Sequence, residues 1–126
     1  KPSSAASDVY KRQKDVSEVW GAEVSLHYPG LYAGTTDLVG VYKNEPAIMD
    51  FKQARKLKKK EWTEDYFLQL VAYAEAHNKM YDTHISSGRV FICTQDNKFQ
   101  TFEIDNYDYW AGQWYTKLEQ YYKAIL

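Results

Sequence analysis

Asp50 and Lys52 stand two residues apart in Ile48-Met49-Asp50-Phe51-Lys52, a stretch that is otherwise apolar. On an extended strand that spacing puts both side chains on one face, with Met49 and Phe51 on the other. A carboxylate and an ammonium inside a core strand are costly unless compensated, which favours function over packing, although a structural ion pair would also account for them. Asp37, in Gly34-Thr35-Thr36-Asp37, falls on the preceding strand, and antiparallel pairing can bring its carboxylate close to that of Asp50. Two carboxylates in one small volume repel and raise one pKa unless a divalent cation lies between them. Mg²⁺ takes oxygen ligands and keeps several waters, and Asp37, Asp50 and the main-chain carbonyl of Phe51 would supply half of such a shell. Lys52 could lower the pKa of a bound water or stabilise charge on a scissile phosphate. Gln69 and Tyr73 are four residues apart and share one helix face. A glutamine on an apolar stripe needs a partner: a phosphate, a base edge, a nearby carboxylate or, in the plainest case, the backbone. The chemistry that suits this set is metal-dependent cleavage of a phosphodiester.

The elements that must position these groups follow from periodicity. Ala22–His27 alternates apolar and polar residues, as a half-buried strand does. Tyr28-Pro29-Gly30 is a turn, Tyr32–Tyr42 a second strand, Lys43–Pro46 a turn and Ala47–Gln53 a third strand, together an antiparallel meander. After a basic connection, Thr63 is a candidate N-cap for a helix running to about Met80, with Phe67, Leu70, Val71 and Ala74 facing the sheet. Val90–Cys93 and Phe99–Ile104 read as strands, and Asn106 as the cap of a last helix, Tyr107 to about Ile125. The predicted fold is α/β, with a mixed central sheet in the order β-β-β-α-β-β-α and flanking helices.

With those placements the chain resembles the PD-(D/E)xK nuclease superfamily, in its RecB-like exonuclease branch. That branch carries Gly-x-x-Asp, then Asp/Glu-x-Lys, then Gln-x-x-x-Tyr. Here these are Gly34 to Asp37, Asp50 to Lys52 and Gln69 to Tyr73, in that order. Each motif alone is weak; the ordered set is specific. The resemblance runs from about Glu23 to the C-terminus, and the tail Tyr109–Tyr122 is similar to that of mitochondrial genome maintenance exonucleases and their phage relatives. It implies a restriction-endonuclease-like core, Asp37 and Asp50 as ligands of Mg²⁺ or Mn²⁺, Lys52 as the catalytic lysine, and Gln69 and Tyr73 as groups orienting DNA or water. Glu23 is a candidate further acid on the first strand; its alternative is a solvent-facing strand residue. His27 is not on a helix and is not mapped to the family's upstream histidine. The family often has Ser or Thr after the lysine, whereas this chain has Gln53.

Arg55, Lys56, Lys58, Lys59 and Lys60 follow the Asp50–Lys52 strand directly and are candidate phosphate contacts, with Trp62 placed to stack on an unpaired base. The alternative for the run is a solvated loop. Trp110, Trp114 and Leu118 form a stripe expected in the core, Cys93 sits in an apolar strand, and His77 and His84 read as surface residues. One cysteine excludes an intramolecular disulfide and a four-cysteine iron–sulfur cluster, and makes a reducing compartment the default. No apolar run approaches a membrane span of about 20 residues. The formal net charge of −1 supplies no global field toward nucleic acid.

The 126 residues suit one small domain. Ser3–Gln13 resembles a translated transposon sequencing adapter, so residues 1–13 are expected to be a non-native leader and 14–126 a nuclease domain cut at its N-terminus. The expected function is a divalent-metal-dependent DNA exonuclease preferring single strands, in repair, recombination or genome maintenance. Its expected partner is DNA, single-stranded or with a free end, and not a membrane. The expected compartment is cytoplasmic for a phage or bacterial source and mitochondrial for a eukaryotic one. The alternatives are a nucleic-acid-binding module with a degenerate or incomplete site, and an interaction domain with a fortuitous Asp-x-Lys.

Overall fold

A computed structural model describes residues 15–126, and the adapter-like segment lies outside them. The strands are β1 (Val16–Tyr28), β2 (Tyr32–Tyr42), β3 (Glu45–Ala54), β4 (Gly88–Thr94) and β5 (Phe99–Glu103), and the helices α1 (Glu64–Tyr81) and α2 (Tyr107–Ile125). One sheet holds the strands in the order β1-β2-β3-β4-β5. All neighbours are antiparallel except β3 and β4, which run parallel. A parallel pair needs a long crossover, and α1 provides it between β3 and β4. The predicted element order and mixed sheet are the observed ones.

Several strand boundaries differ from the sequence expectation, β4 starting at Gly88 rather than Val90, and those of β1 and β3 have a local cause. β1 starts at Val16 rather than Ala22. It is a mostly exposed edge strand with register shifts at Val16/Glu18 and Val19/Gly21, so its first half has no apolar alternation to read. Gly40 answers that irregularity, because a Cβ there would lie 2.2 Å from the Glu18 carbonyl oxygen. The β2–β3 connection is a two-residue turn in which Lys43 and Asn44 have φ of 47° and 69°, so β3 starts at Glu45 and includes Pro46. Pro46 is tolerated because pairing with β4 begins only at Ile48.

The apolar stripe of α1, Phe67, Leu70, Val71 and Ala74, packs on Val39, Ile48, Val90 and Ile92, closed off by Ile85 and Ile104. A second cluster, Tyr42, Ala47, Met49 and Phe91, forms separately from it. Helix α2 lies against α1. It has no fully buried residue; the Trp110/Trp114/Leu118 stripe is half-buried, with Trp110 and Trp114 packed against the main core cluster. His77 corrects the surface expectation. It continues the Leu70/Ala74 face of α1, is 6% exposed, and its Nδ1 lies 2.8 Å from Thr83 Oγ1. Burial lowers its pKa. Neither expected cap makes a side-chain cap bond: Thr63 Oγ1 donates to the Lys60 carbonyl at 2.5 Å, and Asn106 is left-handed at φ 53°. Among the described residues no helix is long and apolar enough to cross a membrane.

Candidate active site

The β2–β3 ladder is regular up to the pair Leu38–Met49. One step further, at Asp37 and Asp50, the side chains take over from the backbone. The Asp37 amide donates to Asp50 Oδ1 at 3.0 Å, and the Phe51 amide donates to Asp37 Oδ2 at 2.8 Å. Each carboxylate is thus tied to the other strand, which sets the two acids side by side. Thr36 Oγ1 adds a second hydrogen bond to Asp50 Oδ1 at 3.0 Å. Lys52 Nζ lies 3.7 Å from Asp50 Oδ2, on the same strand face.

Asp50 is 3% exposed. Burial pushes its carboxyl above the usual range; the Asp37 amide, Thr36 and Lys52 pull it back down, and the nearby charge of Asp37 adds to the rise. The donors lie mainly on Oδ1, while Oδ2 faces only the longer contact with Lys52. A buried carboxylate compensated in this one-sided way gains from a cation. The oxygen donors of Asp37 and Asp50 match the ligand chemistry of Mg²⁺ or Mn²⁺.

Helix α1 brings the third motif to the same place. Gln69 Nε2 donates to the Tyr73 hydroxyl at 3.0 Å. The Tyr73 phenol is raised first by burial and then by the charges of Asp50 and Asp37. Gly34 permits the approach, since a Cβ there would lie 2.8 Å from Tyr73 Cε1. The glycine of the first motif and the tyrosine of the third are therefore one contact.

Two residues of the site were missed from sequence. Strict alternation turns Thr36 away from Asp37, so its bond to Asp50 had no signal. Tyr66, whose ring centroid is 5.7 Å from Lys52 Nζ, was legible, because it lies three and seven residues before Gln69 and Tyr73. Glu23 falls level with Asp37 in the β1–β2 register, between the pairs Ala22–Leu38 and Val24–Thr36. It is exposed, with φ of 50°, and no group of three His, Cys, Asp or Glu residues able to hold a metal forms among the described residues. The basic run is only partly available. Lys60 pairs with Asp105 at 2.6 Å, and Lys59 lies over the Trp62 ring at 5.2 Å. The Lys58 backbone exchanges two hydrogen bonds with the Gln100 side chain, at 2.7 and 2.9 Å, fastening the loop to β5. Arg55, Lys56 and Trp62 are exposed.

No protein-family model matches the chain, and no curated protein matches it by sequence. Solved structures match its fold. SSO0001 superposes with a TM-score of 0.53 at 15% identity, over 84% of this chain and 50% of its own. A protein from Eubacterium rectale described as a candidate exonuclease superposes with a TM-score of 0.62 at 13% identity, over 96% of this chain and 51% of its own. The chain thus spans about half the length of each. Likeness at such identities concerns the fold alone, a mixed α/β fold consistent with a restriction-endonuclease-like core.

Proposed function

We propose that the chain carries a divalent-metal-dependent deoxyribonuclease centre of the PD-(D/E)xK type, RecB-like branch, acting as an exonuclease on DNA with a single-stranded or free end. The observation that carries this reading is the interlocked pair Asp37 and Asp50, with Lys52 at 3.7 Å and the Gln69–Tyr73 pair of α1 against it. The fold likeness to the E. rectale protein supports the same class.

Asp37, Asp50 and the carbonyl of Phe51 would hold Mg²⁺ or Mn²⁺. When bound, the cation supplies Lewis-acid activation and neutralises phosphate charge. Lys52 stabilises negative charge as water oxygen adds to phosphorus and the phosphorus–oxygen ester bond breaks. Thr36 and the Asp37 amide keep the Asp50 carboxylate aimed, and Tyr66 confines the Lys52 ammonium. Gln69 and Tyr73 orient the strand. Arg55, Lys56, Lys58 and Lys59 meet backbone phosphates beyond the cut, Trp62 stacks on an unpaired base, and Lys60 contributes once it exchanges Asp105 for a phosphate. The setting is DNA repair, recombination or genome maintenance.

The test is digestion of a labelled linear single strand and of a circular one in Mg²⁺, with and without EDTA. Linear DNA is degraded, circular DNA is spared, and Asp50→Asn and Lys52→Ala abolish the activity. Metal-dependent activity that survives both substitutions overturns the assignment. The second reading, a nucleic-acid-binding module with an incomplete site, draws on the meeting of two carboxylates rather than three among the described residues. Salt-sensitive DNA binding without any cation-induced stabilisation of the protein would favour it.

A further inference from the structure

A groove of about 300 Å³ opens between α1, α2 and the start of β2. Its walls include Tyr32, Ala33, Gln69, Tyr73 and Trp114. Gln69 and Tyr73 thus belong both to this groove and to the candidate active site, which makes the two neighbours. The aromatic wall is held in place: the Tyr32 hydroxyl donates to the Ala72 carbonyl at 2.8 Å, and the Tyr32 and Trp114 rings meet edge to face with centroids 5.0 Å apart. At the mouth, Lys117 of α2 faces Asp65 of α1 at 3.9 Å, both exposed. The groove therefore offers flat rings, an amide at its inner end and one cation at its rim.

We infer that this groove is a subsite for one unpaired nucleobase, that of the nucleotide next to the scissile phosphate. The inference rests on the nuclease reading above for the position of that phosphate. Aromatic walls accept the π-face of any base, which suits a nuclease without sequence preference. The Gln69 amide, anchored through Nε2 on Tyr73, presents its carbonyl oxygen to a base edge. Lys117 exchanges Asp65 for a backbone phosphate as the strand enters. A base still paired in a duplex has its edge engaged and its neighbours stacked, so the groove selects single strands and frayed ends. A preference for single-stranded DNA thereby acquires a place in the fold separate from the catalytic carboxylates.

The test uses the full chain in Ca²⁺ with two probes, oligothymidylate and an abasic oligomer of equal length, followed by fluorescence anisotropy. Wild type is expected to bind oligothymidylate about tenfold more tightly than the abasic strand. Ala33→Trp fills the groove from an exposed position and brings that ratio to about one. A second measurement needs no variant: an oligomer carrying 5-iodouracil at the terminal position is photocrosslinked and the adduct mapped. Adducts on Tyr32, Tyr73 or Trp114 support the subsite. Equal binding of the two probes by wild type, a ratio unaltered by Ala33→Trp, or adducts confined to Trp62 overturns it. The nuclease reading fails separately. Absence of Mg²⁺-dependent hydrolysis beside groove adducts strikes the nuclease and leaves the subsite, and hydrolysis with adducts elsewhere does the reverse.

Discussion

Asp50 is buried and Glu75 half-buried, and the fold treats the two carboxylates differently. Glu75, on α1, receives one phenol on each carboxylate oxygen, Tyr107 at 2.6 Å on Oε2 and Tyr115 at 2.8 Å on Oε1. Both tyrosines come from α2, so this cluster fastens one helix to the other. Burial, and then the hydrogen bond to Glu75, raises both phenols and keeps them protonated donors. Asp50 receives its hydrogen bonds on Oδ1 and leaves Oδ2 to Lys52 at 3.7 Å. A second acid, Asp37, is placed beside it. A carboxylate that serves packing has both oxygens satisfied by neutral donors. One suited to a cation keeps an oxygen turned toward positive charge and tolerates a costly neighbour.

The widest expected separation between the two sites is in catalysis. Asp50→Asn and Lys52→Ala each lower the rate of single-strand hydrolysis by about 10³-fold, whereas Glu75→Gln leaves the rate of the folded protein within about twofold. Single-turnover digestion checks this, and a comparable loss in Glu75→Gln would erase the distinction.

Stability should separate them in the opposite direction. Glu75→Ala strands two half-buried phenols and loosens α2, with an expected loss of about 2 kcal/mol in urea unfolding. Asp50→Asn, measured without divalent cation, instead raises Tm, because it removes a charge that burial disfavours.

The same carboxyl predicts a pH dependence. The folded value of Asp50 lies above its unfolded value of about 3.9, so the folded chain holds this proton more tightly. Its stabilising contribution is complete below the unfolded value and is lost as pH rises through the folded one. Unfolding of Asp50→Asn, compared with wild type across that window, should lack this fall. Mg²⁺ should restore wild-type stability above the window and do nothing for Asp50→Asn, a contrast that thermal melts can check.

The smallest expected effect belongs to Tyr66→Leu. Losing the ring beside Lys52 removes about 0.5–1 kcal/mol of cation confinement, a two- to fivefold loss in kcat with KM little changed. A larger loss would make Tyr66 more than a positioning residue.

Much of this architecture was legible along single elements. The alternation of Ile48 to Lys52 set Asp50 and Lys52 on one face, and the spacing of Phe67, Leu70, Val71 and Ala74 set the buried face of α1. Where a signal was weak, the cause is local. The first half of β1 is an exposed edge broken by bulges, and the indoles of α2 are half-buried, Trp110 on Phe67 of α1 and Trp114 on Tyr32 of β2. His77 and Tyr66 obeyed the helical period, but their polar groups masked it.

Local periods of two and 3.6 residues thus determined the element order and the buried faces, and the ordered motifs singled out the acids, the lysine and the Gln–Tyr pair as candidates. The tertiary structure alone decided that the β2–β3 ladder gives way at Asp37 and Asp50, that Thr36 turns in to hold Asp50, that Gly34 meets Tyr73, and that Lys60 is engaged by Asp105. Those contacts depend on register and on which element lies over which. Long-range packing sets both, and no window of neighbouring residues encodes it.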